Sequence, residues 1–179
     1  MGIYFPMFVS LQGKRAVVVG AGRIALRRIR TLAEFGCRIT VIAPEALPEI
    51  CRWEETKEVP ITWLKECYSD ARLEEICREG PVGLLVAASG SREANHLAGR
   101  KAKALGIPAN VADCREECDF YFPGIARRGQ VVVGVTASGE NHRLARQVTE
   151  KMREALAAAD LPDQNPCPMG SYLTNQSII

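Results

Sequence analysis

Two hydrophobic patterns alternate through the first two thirds of this chain: short, nearly continuous apolar runs, and longer stretches whose apolar residues recur at helical spacing. Residues 16–19, 37–43, 60–64, 82–88 and 107–112 are of the first kind and predict buried parallel strands. Residues 24–35 are of the second kind. They carry Ile24, Arg28, Leu32 and Phe35 on one stripe with Ile29 and Ala33 beside it, and predict a helix closed by Gly36. Residues 70–78 and 93–105 predict two further helices, ending at Gly80-Pro81 and Gly106. The stretch between Pro48 and Pro60 reads as a polar connection interrupted by proline. Strands alternating with helices predict an α/β fold, a Rossmann-like parallel sheet.

The pattern changes after Asp113. Residues 120–123 and 130–136 are β-prone runs joined by a turn containing Gly124 and Gly129, and residues 141–159 read as a helix with Leu144, Val148, Met152 and Ala155 on one face. That helix is expected to cover the hairpin or a second subunit. Residues 160–179 show little periodicity and are expected to be a flexible tail. The expected organisation is a dinucleotide-binding domain over 1–113, a small α+β dimerisation domain over 114–159, and the tail over 160–179. The aromatic segment 1–10 is expected to pack against the sheet edge, or to floor a pocket.

The strongest chemical signal is Gly20-Ala21-Gly22-Arg23-Ile24-Ala25, between the first strand and the first helix. In that context the first glycine permits a tight turn, the second lets backbone amides approach a pyrophosphate, and the phosphates meet a helix N-terminus. Gly20, Gly22, Arg23 and Ile24 are therefore candidate cofactor residues, with NAD as the expected cofactor. The second strand ends in Ala43-Pro44-Glu45, so Ala43 and Pro44 occupy its rim, and the common acidic ribose anchor is either absent there or displaced to Glu45. Ala88 and Ser89 follow another strand at the same rim, where Ser89 either hydrogen-bonds a nicotinamide ribose or simply closes a tight connection.

Asn110-Val111-Ala112-Asp113 brings a carboxylate to the end of the last parallel strand. Asp113 is the candidate for orienting a substrate or removing its proton during oxidation, with a cap or salt bridge as the plain alternative. Asn110, Arg127, Arg128, Ser138, His142, Arg143 and Arg146 are candidate substrate contacts, the arginines because guanidinium groups grip carboxylates in pairs. Ser138 or Asn141 is also a candidate helix cap.

Composition narrows the partners. A formal charge of +2 over 179 residues gives no general case for nucleic acid or an acidic membrane surface. No apolar stretch approaches the roughly 20 residues that span a bilayer, and a cytoplasmic protein is expected. The 7 cysteines are odd in number and scattered, and Cys114 with Cys118 lacks a second close pair, so neither a disulfide framework nor a bound metal is expected.

Phe5-Pro6, Val18-Val19-Gly20-Ala21-Gly22 with Arg27, Ala87-Ala88, Asn110-Val111-Ala112-Asp113, and Ser138-Gly139 followed by Leu144-Ala145-Arg146 together resemble the precorrin-2 dehydrogenase and sirohydrochlorin ferrochelatase family. The resemblance spans about residues 1–156. It implies NAD-dependent oxidation of precorrin-2, a carboxylated tetrapyrrole, to sirohydrochlorin by a homodimer, and Asp113 matches the family's important aspartate. Asn141-His142 stands where many relatives have Ser-Pro, and the helical C-terminal part extends little past residue 159. Dehydrogenase activity is therefore expected ahead of metal chelation. The alternatives are a tetrapyrrole chelatase or storage protein, and a nucleotide-responsive binding or redox-sensing module.

Overall fold

The computed structural model describes residues 5–138 and 140–159. Residues 160–179, expected as a tail, lie outside the described residues. The expected strands form as β1 (Arg15–Val19), β2 (Arg38–Ile42), β3 (Ile61–Leu64), β4 (Val82–Ala87) and β5 (Ala109–Val111). The helices between them are α1 (Arg23–Ala33), α2 (Pro48–Thr56), α3 (Asp70–Glu79) and α4 (Arg92–Ala104). All five strands pair in parallel, in the order β3-β2-β1-β4-β5. The chain winds outward from β1 to one edge, then returns to β4 on the other side of β1. The loops after β1 and β4 therefore leave in opposite directions and open a crevice at the carboxyl ends of these strands.

One apolar cluster joins Val17, Val19, Leu85, Ala87, Ala109 and Val111 of the sheet to Leu73 and Ile76 of α3 and Ala98 and Ala102 of α4. The alternation of strand side chains turns Ala16, Val18 and Val86 to the opposite face, and these too are buried. The inward face of α1 is Ala25, Ile29 and Leu32, which keeps Ile29 and Leu32 of the expected stripe but replaces Ile24, about half exposed, with Ala25. Arg28 is partly buried, and that burial, then the nearby charge of Arg27, lowers its pKa to about 10.

The helix α2 was not expected. Pro48 is its first residue, where a missing N–H costs nothing, and Ile50 and Trp53 are buried.

The chain divides into two units, one of residues Phe8–Tyr121 and one joining the residues up to Met7 to the chain from Phe122. The division falls after Tyr121 rather than Asp113 because the chain beyond β5 remains tied to that strand. Asp119 N donates to Ala109 O at 2.8 Å, Asp119 Oδ2 accepts from Ala109 N at 2.9 Å, and Val111 N donates to Cys118 Sγ at 3.2 Å. A 3-10 turn at Arg115–Glu117 lies within this segment. Phe5, Met7 and Phe8 are exposed, contrary to the packing expected of the aromatic segment.

The small unit comprises an antiparallel hairpin, β6 (Gly124–Arg128) and β7 (Val131–Val135), and one helix, α5 (His142–Ala158). The first strand begins at Gly124, not at 120–123 as expected. A Cβ on Gly124 would collide with Thr149 of α5, so glycine here lets the helix lie close on the strand. The inward residues of α5 are Ala145, Val148, Thr149, Met152 and Leu156, whereas Leu144 and Ala155 of the expected face are exposed. Asn141 is the cap, its Oδ1 accepting from Leu144 N at 2.8 Å.

Candidate functional site

The turn from β1 into α1 sets the site. Gly20 has φ +100, and a Cβ there would lie 2.5 Å from Ala88 O and 2.7 Å from Ser89 Cα. Only glycine allows the two loops of the crevice to touch in this way. Gly22 is the N-cap of α1 and supplies no side-chain acceptor to the first turn; a Cβ on it would meet nothing within 4 Å. Backbone amides at the start of α1 are therefore reachable from the crevice, the arrangement that suits a phosphate.

The crevice is a cleft of about 570 Å³, and Gly20, Gly22, Arg23, Ile24, Ala43, Pro44, Ala88 and Ser89, the whole expected cofactor set, line it. Glu45 lines it too, as do Cys67 and Tyr68, which the sequence had not singled out. Burial first, then donation of its hydroxyl to Asp70 at 3.0 Å, raises the Tyr68 phenol above its ordinary pKa, so it stays protonated at neutral pH. The contact of Gly20 with Ala88 and Ser89 places the second loop at the cleft. It is also a tight connection: Ser91 N donates to Ser89 Oγ at 3.1 Å, and Ser91 Oγ caps α4 by accepting from Ala94 N at 3.2 Å.

Asp113 follows β5 and does not line the cleft, but a single residue connects it to the cleft wall. Asn95, in the first turns of α4, is 1% exposed. Its Oδ1 accepts from Ser89 N at 2.9 Å and Ser89 Oγ at 2.8 Å, while its Nδ2 donates to Asp113 Oδ2 at 2.8 Å. Arg92 Nη1 is a looser partner of Asp113, at 3.4 Å from Oδ1. Arg92 is engaged more closely with Glu117, which also pairs with His96 Nδ1 at 2.9 Å. The hydrogen bond from Arg92, then that of His96, lowers the Glu117 carboxyl from about 4.5 to about 2.

Several expected substrate contacts have structural partners. Asn110 is buried, is absent from the cleft lining, and donates through Nδ2 to Phe120 O at 2.9 Å, which ties down the chain after β5. Arg128 Nη1 donates to Leu156 O, and to Ala157 O and Ala159 O at 2.9 and 2.8 Å, so its charge complements the C-terminal end of α5. Arg143 and Arg146 are exposed near the other end of that helix, about 20 Å away at 1.5 Å per residue, so within one chain Arg128 does not join them in a single rim. Arg127 is exposed on β6, His142 is the exposed first residue of α5, and Ser138 has φ +54 with its N–H donating to Thr136 Oγ1 at 3.2 Å.

Asn95 was missed at the sequence level. Its one signal is a polar residue three and seven positions before Ala98 and Ala102, on the apolar side of α4. Among the described residues no helix is long and apolar enough to cross a membrane.

A family described as "Putative NAD(P)-binding" matches residues 7–124. The chain is 38% identical over 157 residues to the probable multifunctional siroheme biosynthesis protein HemA of Ruminiclostridium josui, covering 87% of this chain and 29% of that protein. It is 33% identical over 153 residues to the siroheme synthase of Baumannia cicadellinicola subsp. Homalodisca coagulata, covering 86% of this chain and 31% of that one. The chain thus spans about three tenths of the length of these curated relatives. Among solved structures, SirC, a precorrin-2 dehydrogenase, shares the fold with a TM-score of 0.69 at 24% identity, over 85% of this chain and 71% of that one.

Proposed function

Because this chain belongs to the NAD(P)-binding family found in the N-terminal region of sirohaem synthases, we propose that it oxidises precorrin-2 to sirohydrochlorin with NAD as the acceptor. The observation that carries this reading is the meeting of all eight expected cofactor residues in one cleft at the switch point of the sheet, with Asp113 one hydrogen-bonded residue behind its wall.

The cleft fits a dinucleotide by its own features. Gly20 holds the two loops together, and Gly22 leaves open space beside the first turn of α1. NAD, when bound, supplies a hydride acceptor. The chain's residues do the rest. Among the residues lining the cleft, amides from Gly22 onward would hold the pyrophosphate, Glu45 would accept from a ribose hydroxyl, and the Ser89 turn would bound the nicotinamide end. An acid beside a ribose selects NAD over its phosphorylated form, since a second phosphate would meet a carboxylate. Oxidation removes a hydride and a proton from the tetrapyrrole, and Asp113 orients the substrate or accepts that proton on a carboxylate oxygen. Arg127, Arg143 and Arg146 present exposed guanidinium groups to peripheral carboxylates.

The chain acts as a homodimer in this proposal. In the described part of the small unit only Ala126 and Thr149 are buried, and Val131, Val133 and Val135 remain half-buried. Such a unit gains a core from a second copy.

The test is anaerobic incubation with precorrin-2 and NAD, following NADH and the tetrapyrrole spectrum together, with iron omitted and then added. Coupled NADH and sirohydrochlorin formation is expected before iron is added. Cofactor binding with neither product would overturn the enzyme in favour of a nucleotide-responsive module.

A further inference from the structure

A buried asparagine amide is costly unless its oxygen and nitrogen are both satisfied, and Asn95 sits on the same side of α4 as buried Ala98 and Ala102, where an apolar residue would pack at no such cost. The orientation of its amide is not arbitrary. Ser89 N–H can only donate, so the atom 2.9 Å from it is the oxygen, and the nitrogen must face Asp113. Oδ1 accepts twice from Ser89, and Nδ2 donates to Asp113 Oδ2 at 2.8 Å and to Ser89 O at 3.2 Å. The oxygen of this planar group thus holds the turn after β4 that touches Gly20, and its nitrogen ties that turn to the carboxylate after β5.

We propose that Asn95 is a positioning residue for the oxidation, fixing the Asp113 carboxylate relative to the Ser89 turn that bounds the cofactor cleft. The proposal rests on the dehydrogenase reading above. Arg92 does not substitute for it, because Arg92 lies 3.4 Å from Asp113 and is held by both oxygens of Glu117. A rigid amide between cleft wall and acid keeps the acid's distance from the substrate constant when the cofactor enters, which is what a proton transfer concerted with hydride loss requires.

Asn95→Asp keeps an acceptor for Ser89 N and replaces the nitrogen that donates to Asp113 and to Ser89 O with a second oxygen. With the full chain, NAD affinity by calorimetry is expected to stay within about threefold of wild type while kcat falls roughly 10- to 100-fold with little change in KM for precorrin-2. Asn95→Ala lowers kcat too, but in an Asp113→Ala background it costs no more than about twofold further, because the group it positions is gone. A wild-type kcat in Asn95→Asp, or an Asn95→Ala loss of equal factor in both backgrounds, overturns the proposal.

The side-chain amide of Asn95, followed by nitrogen-15 NMR, is a readout that needs no turnover. Its signals are expected to move on Asp113→Asn and on saturation with NAD. If the wild type does not oxidise precorrin-2, the dehydrogenase reading falls. The positioning proposal is then judged by these signals, and signals unmoved by either change overturn it.

Discussion

The cleft of the large unit and the hairpin–helix unit differ in how completely their own residues determine them. At the cleft, the strands beneath are buried on both faces, and a single Cβ on Gly20 would force its two walls apart. In the small unit, two residues are buried among those described, while Phe5, Met7 and Leu144 are exposed. The cleft is built by residues of the large unit alone, whereas the small unit buries little of its own among the described residues. Chemistry that needs fixed geometry belongs with the first.

The largest expected effect is at the acid. Asp113→Asn lowers turnover of precorrin-2 by about 10² to 10⁴ while NAD affinity stays within about threefold, as steady-state rates and calorimetry will show. Unchanged turnover would remove Asp113 from the reaction. Gly20→Ala breaks the cleft itself. A strained φ of +100 and the collision with Ala88 O are together expected to cost about 3 kcal/mol in urea unfolding and to weaken NAD binding at least about 100-fold.

The small unit gives two smaller expected effects. If a second copy completes the small unit, Tm rises by roughly 3 °C for each tenfold increase in protein concentration, and a concentration-independent Tm argues for a monomer. Arg128→Met removes the contacts to the last carbonyls of α5 and is expected to cost about 2 kcal/mol, with faster hydrogen exchange over residues 152–159. A raised KM with unchanged stability would instead make Arg128 a substrate contact.

The smallest effect is in acid. Glu117 has a folded pKa of about 2, below its unfolded value, so its pairing with Arg92 and His96 stabilises the fold above about pH 4.5, and that contribution is lost as pH falls toward 2. Glu117→Gln should flatten the decline of Tm over that window, and a parallel decline in both proteins would deny the pair any role.

The parallel strands were legible because strands buried on both faces are written as continuous apolar runs, and the glycine turn because it lies between such a run and a helix. What escaped has physical reasons. Pro48 at the first position of α2 looks like a breaker but is tolerated there. The strand β6, Gly-Ile-Ala-Arg-Arg, has little β-propensity and exists because α5 lies on it. The inward face of α5 includes Thr149, whose hydroxyl donates back to Ala145 O at 2.7 Å, so a purely apolar stripe misplaced that face. The eight cofactor candidates came together, but Asn110 and Arg128 met backbone carbonyls instead of the cleft, since a sequence shows a polar residue's type and not its nearest acceptor. Asn95 was invisible for the same reason.

The cleft at the ends of β1 and β4 is expected to hold a nicotinamide dinucleotide. Hydrogen–deuterium exchange of the full chain with and without saturating NAD tests it most directly. New protection is expected mainly over residues 20–24, 43–45 and 88–91; saturable binding with protection elsewhere, or no binding, would move the cofactor out of this cleft.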